Sequence, residues 1–333
     1  MVVTKKRKAL STGRPPLAKK SKTPKSMSAR TSNKIINTHH ALQKAHALAL
    51  KTGDIQKAKE LETKIEENGG LETYQAASIQ GQASTRGGDS SKVLVQWLQE
   101  DEILPLIPKP KRKEKSKQGF NKNPYVNQKG ENDAAKPKYT CLEIGALSTS
   151  NSISQHPQNL AITRIDLHSQ SPGILSQDFM KRPVPENATE KFDIISLSLV
   201  LNYVPDAGQR GEMLKRLSQF LRHRPQISRE RNSNDLDGSI GEEEEETVLP
   251  ALFLVLPLPC IENSRYLDEE RLMAIMSSLG YVRRKRKISR KLCYFLFRWC
   301  GLEEAGAEKH GQKFPKKEIL KGPGRNNFCV VVE

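Results

Sequence analysis

The chain has 333 residues, 36% hydrophobic and 28% charged, with a formal net charge of +17. That length accommodates one doubly wound domain with extensions, or two small domains, and the lean apolar content predicts unfolded segments beside the folded part. There is no run of about 18 apolar residues and no apolar signal core, which argues against a membrane span or a secretory leader; five cysteines without a Cys-x-x-Cys pair argue against a zinc site or disulfide scaffold and fit a reducing compartment.

Residues 1–33 form a basic tail with Lys5-Lys6-Arg7-Lys8 and Lys19-Lys20-Ser21-Lys22, and the first 50 residues hold twelve Lys or Arg and no acid. The tail reads as disordered, serving nuclear import and polyanion attraction or simply as a solvated tail. Residues 34–105 read as a helical extension. Ala41, Leu42, Ala45, Leu48 and Ala49 make one apolar stripe, Gly53-Asp54 breaks it, and Ile55, Ala58, Leu61 and Ile65 make a second that stops at Asn68-Gly69-Gly70. This hairpin is expected to pack on the main domain, with RNA contact through His39, His40 and Lys44 as the alternative. Further on, Gly87-Gly88-Asp89-Ser90-Ser91 precedes a helix carrying Val93, Leu94, Trp97 and Leu98; Asp89 or Ser90 is expected to cap it, with a lid as the alternative. Residues 106–138 form a basic, low-complexity linker.

From Tyr139 strands and helices alternate. Strands are expected at Thr140–Ile144, Ala161–Ile165, Ile174–Ser176, Phe192–Leu199 and Leu249–Leu256, and helices near 150–156, at Gly208–Leu221 and at Asp268–Leu279. Two late strands, Lys291–Trp299 and Phe328–Val332, follow without a helix between them. Near-continuous apolar runs suit a parallel sheet covered on both faces, so residues 139–333 read as a Rossmann-like α/β domain, mostly parallel, with an antiparallel terminal strand pair. A disordered acidic insert, 224–247, interrupts it with Glu242–Glu246.

The chemistry concentrates at two strand ends. Gly145 follows the first strand and Asp166 ends the second, 21 residues on, the spacing of a unit that sets an adenosine-containing ligand on a backbone turn and its ribose on a carboxylate. Only one glycine is present, so there is no pyrophosphate cradle, and the neighbouring Glu143 would repel phosphates. A cofactor with a cationic or zwitterionic end and no phosphate fits better, which points to S-adenosylmethionine over NAD or ATP. Asp166 can accept from the ribose hydroxyls. Asp178 can accept from the adenine amino group with Phe179 against the ring, or be an ordinary turn aspartate. Phe192-Asp193, opening the fourth strand, reads as structural. Asn202 and Tyr203, leaving the carboxyl edge of that strand, are the candidate catalytic pair, placed to hold and stack a flipped base; the alternative is a Pro-stopped strand with a buried tyrosine. Arg283–Lys287 reads as an RNA-backbone contact or a solvated turn.

The segments GGLETYQAASIQGQ, RGGDSSKVLVQWL, CLEIGALSTSN, RIDLHS, ILSQDFM and FDIISLSLVLNYVPDAGQRGEMLKRL together resemble the nucleolar 25S ribosomal RNA adenine-N(1)-methyltransferase family. The resemblance implies a Rossmann-like fold, S-adenosylmethionine as donor and one adenine of large-subunit ribosomal RNA as acceptor. It also implies work on pre-ribosomal particles in the nucleolus, with Gly145 and Asp166 at cofactor-binding positions. No metal and no membrane are expected, and a monomer is. The competing expectation is a non-catalytic S-adenosylmethionine sensor that docks protein partners, as metazoan relatives of similar sequence look to be.

Overall fold

A computed structural model describes residues 27–81, 88–106, 137–169, 171–223, 247–302 and 311–333. Residues 1–26 of the tail, 107–136 of the linker and 224–246 of the acidic insert lie outside the described residues.

Seven strands form one sheet: β1 (Tyr139–Ile144), β2 (Leu160–Asp166), β3 (Leu175–Ser176), β4 (Ile194–Ser198), β5 (Ala251–Pro257), β6 (Tyr281–Ile288) and β7 (Leu292–Trp299). Their order is β3-β2-β1-β4-β5-β7-β6. The first five pair in parallel, while β7 runs against both β5 and β6. The central strands are largely apolar because both faces are covered, as parallel strands require, with Glu143, Ser196 and Ser198 as polar exceptions near their carboxyl ends. Alternate residues of β5 show this: Leu252, Leu254 and Leu256 face one core, Phe253 and Val255 the other.

Helices complete the layers. On one face pack α5 (Ala207–Phe220), the short α6 (Pro259–Glu262) and α7 (Glu269–Ser278); on the other, α4 (Ser91–Glu100) buries Val93, Leu94, Trp97 and Leu98. The hairpin of the N-terminal extension is present as α1 (Ala29–Lys51) and α2 (Ile55–Glu67), broken at Gly53-Asp54, and α3 (Gly70–Gly81) joins them. α1 begins inside the segment read as tail. Its buried residues are Ser32, His39, His40 and Ala49, while Leu48 is exposed, so the polar edge of the expected stripe is the docking face.

The expected antiparallel terminal strand pair is present, but one of its strands differs from the expectation. β7 pairs with Tyr281–Ile288, which contains the Arg283–Lys287 run, and not with Phe328–Val332. The basic run is therefore neither turn nor free loop but an edge strand, where charge blocks further strand pairing. Phe328–Val332 instead lines α5 as a buried segment: Val331 N–H donates to Ala207 O at 3.0 Å, and Val332 bridges Phe314. A Cβ on Gly211 of α5 would stand 1.8 Å from Val331 O, so only glycine admits this chain. Asp193 is structural as expected: its buried carboxylate accepts from Thr140 N–H (2.9 Å) and from the Arg222 guanidinium (2.8 and 2.9 Å).

Candidate active site

The carboxyl ends of β1, β2 and β4 meet at one edge. β1 leaves the sheet through Gly145 at φ +76°, where the Gly145 and Ala146 N–H groups both donate to Ile165 O at 2.8 and 3.1 Å. An added Cβ would lie 2.3 Å from Val200 Cγ2, so the turn requires glycine for its backbone and for the approach of the loop after β4. Leu199, the first residue of that loop, also takes a positive φ of 57°, the kind of local strain that marks functional turns.

A narrow crevice of about 20 Å³ opens here, lined by Glu143, Gly145, Asn151, Ser196 and Ser198 together with Asp89–Ser91. One Glu143 carboxylate oxygen accepts from Asn151 Nδ2 at 2.6 Å. The other makes an ion pair with Arg164 Nε at 3.4 Å, outside hydrogen-bond geometry, and has no hydrogen-bond partner. Burial pushes the Glu143 carboxyl up to about 7, with Arg164 and Asn151 pulling the other way.

Asp89 and Ser90 do not cap α4 by side-chain hydrogen bonds. Ser90 Oγ instead bonds Ser198 Oγ across the crevice at 2.6 Å, and Asp89 accepts from Ser91 and, at 3.1 Å, from Ser152. The reason is topological. Between β1 and β2 the described residues form only a 3-10 turn, Ser152–Gln155, and Ile153 N–H donates to Ser91 Oγ at 3.2 Å. α4 fills the place a crossover helix would take and aims its first turn at Gly145. Ser90 holds the N-cap position of α4, but its hydroxyl bonds across the crevice and not to the helix.

Asp166 is half-buried at the end of β2, one oxygen accepting from His168 N–H at 2.9 Å. α3 reaches this point, since Gln75 Nε2 donates to His168 O at 2.7 Å. Asp178 follows β3 at the same edge and accepts from Met180 N–H at 2.9 Å, the turn-aspartate arrangement. Phe179 does not stand where it could stack on a base: it is 3% exposed, 5.1 Å from the Phe220 ring, with the Arg216 guanidinium over its face. The aspartate's position follows from the strand end, but the phenylalanine turns into the core because α5 supplies an apolar floor there.

Asn202 and Tyr203 stand in the loop that abuts Gly145. Asn202 is 8% exposed; its side chain bonds the Tyr203 hydroxyl, and its Oδ1 has no hydrogen-bond partner. Arg210 pins this loop, donating to Val204 O (2.8 Å), Pro205 O (3.0 Å) and Cys329 O (2.5 Å). Sequence reasoning offered His39 and His40 only as an alternative RNA contact and missed Tyr74 and the ring stack on top of the loop. His40 of α1 stacks on Tyr203 at 3.7 Å between ring centroids, and Tyr74 of α3 meets both rings edge-on at 5.0 and 6.4 Å. His39 stacks on Tyr74 at 4.5 Å. Burial raises the Tyr74 hydroxyl, and the Tyr203 hydroxyl and the Asp166 carboxylate add to the shift. Among the described residues no group of His, Cys, Asp or Glu is arranged to hold a metal ion.

A five-strand parallel sheet extended by a reversed β7 and an edge β6, with its glycine turn and strand-end carboxylate on one edge, is the fold of a Rossmann-like methyltransferase. The family model described as "25S rRNA (adenine(2142)-N(1))-methyltransferase, Bmt2" matches residues 59–330. The "25S rRNA adenine-N(1) methyltransferase" of Schizosaccharomyces pombe is 34% identical over 90% of this chain and 90% of its own length. The "25S rRNA (adenine(2142)-N(1))-methyltransferase" of Saccharomyces cerevisiae is 33% identical over 80% of this chain and 61% of its own. Among solved structures, a SAM-dependent methyltransferase from Aquifex aeolicus aligns with 49% of this chain and 82% of its own at 12% identity and a TM-score of 0.28, too loose to add to the sheet order. The chain belongs to the 25S rRNA (adenine(2142)-N(1))-methyltransferase family.

Proposed function

We propose that the chain methylates N1 of one adenine in large-subunit ribosomal RNA, using S-adenosylmethionine. The observation that carries the cofactor is the donor set around Gly145. Glu143 lines the crevice with a buried carboxylate, one oxygen held by Asn151 and the other ion-paired with Arg164 at 3.4 Å, and its acidic character suits an ammonium group better than a phosphate. Asp166 offers a half-buried carboxylate for two ribose hydroxyls, and Asp178 stands at the same edge for the adenine amino group. When bound, S-adenosylmethionine supplies a methyl group carried on a sulfonium.

The protein's part is positional. Neutral adenine keeps a lone pair on N1, so no residue has to remove a proton first. Tyr203 offers a stacking face and Asn202 Oδ1 an acceptor for the exocyclic amine, and the Arg210 clamp fixes both. We assign the basic tail to import and RNA attraction in the nucleolus, and pre-ribosomal particles to the substrate, with the chain acting as a monomer.

The test is methylation in vitro: purified chain, labelled S-adenosylmethionine and large-subunit RNA, read by nucleoside analysis. One N1-methyladenosine is expected, absent with Asp166→Ala. Cofactor binding by the wild-type chain with no methylated adenine would overturn the proposal in favour of a sensor.

A further inference from the structure

We infer that His40 occupies the seat of the acceptor adenine, so that α1 is a cap the RNA must displace before its base can reach Tyr203. The inference rests on the base-binding role proposed for Asn202 and Tyr203.

The geometry of the ring pair comes first. The His40 and Tyr203 rings are 3.7 Å apart with 15° between their planes, nearly face to face. Side-chain aromatic pairs favour offset or edge-on contacts at about 4.5–7 Å, as the Tyr74 contacts with both rings here do. A close parallel sandwich is how a nucleobase lies on an aromatic platform. His40 also resembles a base electrically. Burial, with smaller contributions from His39 and Lys44, pushes its imidazole down to about 3, so at neutral pH it is an uncharged planar heterocycle.

The hydrogen-bonding groups around it are unsatisfied. His40 Nε2, His39 Nε2 and Asn202 Oδ1 are all buried without a hydrogen-bond partner, although their residues are 9%, 4% and 8% exposed. Buried polar groups are normally paired, and leaving one unpaired costs about 1–3 kcal/mol. A histidine whose role were only to hold α1 down would have its ring nitrogen paired. An adenine in the same seat gives Asn202 Oδ1 the donor it lacks, through the exocyclic amine, and its larger ring covers more of Tyr203.

The cap is also lightly held. The α1–α2 pair encloses a core of three buried residues, Ala49, Ala58 and Leu61, separate from the two cores of the sheet. Beyond the ring stack, α1 is tied to the loop by Lys51 Nζ to Asp206 Oδ2 at 2.8 Å, an ion pair with an exposed lysine. Displacing α1 therefore leaves the sheet cores intact.

The experiment has two arms. In the first, steady-state methylation of an RNA fragment containing the target adenine is measured for wild type, His40→Ala and His40→Phe. His40→Ala is expected to lower KM for RNA about three-fold or more with kcat unchanged, and His40→Phe, which keeps a ring on Tyr203, to raise it. A His40→Ala variant that melts normally but has unchanged or higher KM overturns the inference. The second arm uses the wild-type chain with labelled histidine, so it survives any folding defect in the variants. The His40 ring proton signals, shifted by Tyr203, are expected to move toward ordinary values when saturating RNA is added. A signal that stays in place overturns the inference. Should the wild-type chain methylate RNA while His40 stays put, only the cap fails; should it methylate nothing, the proposed function itself fails.

Discussion

The α/β body and the helical layer over its carboxyl edge hold together by different means. The body has a core on each face of the sheet, with Leu142, Leu214, Leu254 and Phe253 fully buried. The layer encloses Ala49, Ala58 and Leu61 and meets the body through the His40–Tyr203 stack and the polar contacts Lys51–Asp206 and Gln75–His168. A rigid body fixes the residues proposed to hold the cofactor, because Glu143, Gly145 and Asp166 all lie at the ends of core strands. A lightly held layer can open to admit a macromolecular substrate. The two meet at Tyr74, which touches the rings of the layer and lies near Asp166.

Four experiments test that contrast, beginning with the greatest effect. Leu254→Ala should destabilise the protein by about 2–5 kcal/mol, whereas Leu61→Ala should cost about 2 kcal/mol or less, because a small satellite core collapses around the loss. Denaturant melts followed by hydrogen exchange test this, and equal costs would deny the layer its independence. Asp166→Ala should weaken S-adenosylmethionine binding by about 3 kcal/mol, or roughly 100-fold, through lost charge-assisted hydrogen bonds. Calorimetry should show this without a change in melting, and unaltered affinity would move the ribose elsewhere.

The third experiment uses pH. A Glu143 carboxyl at about 7 is largely protonated below that value and must lose its proton to face an ammonium group. Cofactor affinity should rise with pH up to about 7, by at most about tenfold per unit, and then level off, with proton release on binding. Glu143→Gln should flatten the profile. The unliganded protein runs the other way: a carboxyl raised from 4.5 makes the fold lose stability as pH rises through 4.5 toward 7. The smallest effect belongs to Lys51→Ala, which should leave the melting temperature unchanged and exchange rates in α1 slightly raised. A large loss would show the layer to be more firmly tied than its core implies.

What the sequence disclosed follows the same division. The strand-end positions of Gly145 and Asp166 were legible because strand ends and their spacing are local properties, and the loop position of Asn202 and Tyr203 because the loop follows an apolar strand directly. Tyr74 was not, and His40 and the Asp89–Ser91 turn were legible only as alternatives, since all three reach the site by packing from elsewhere in the chain. Of the period-3.6 stripe on α1, Leu42, Ala45 and Ala49 do pack against α2 while Leu48 stays exposed, and the helix meets the loop after β4 through His40, which no hydrophobic stripe marks. β6 was hidden for another reason: its charges, suited to a sheet edge, erase the strand alternation. Phe328–Val332 misled in the opposite sense, because an apolar run signals burial and not pairing.

The central claim is that a methyl group leaves this site for ribosomal RNA. It is tested most directly by primer extension across large-subunit RNA from cells lacking the gene. The account predicts that a reverse-transcription stop at one adenine disappears, returns with the wild-type gene and does not return with Asp166→Ala. Persistence of every such stop in the deletion strain would contradict it.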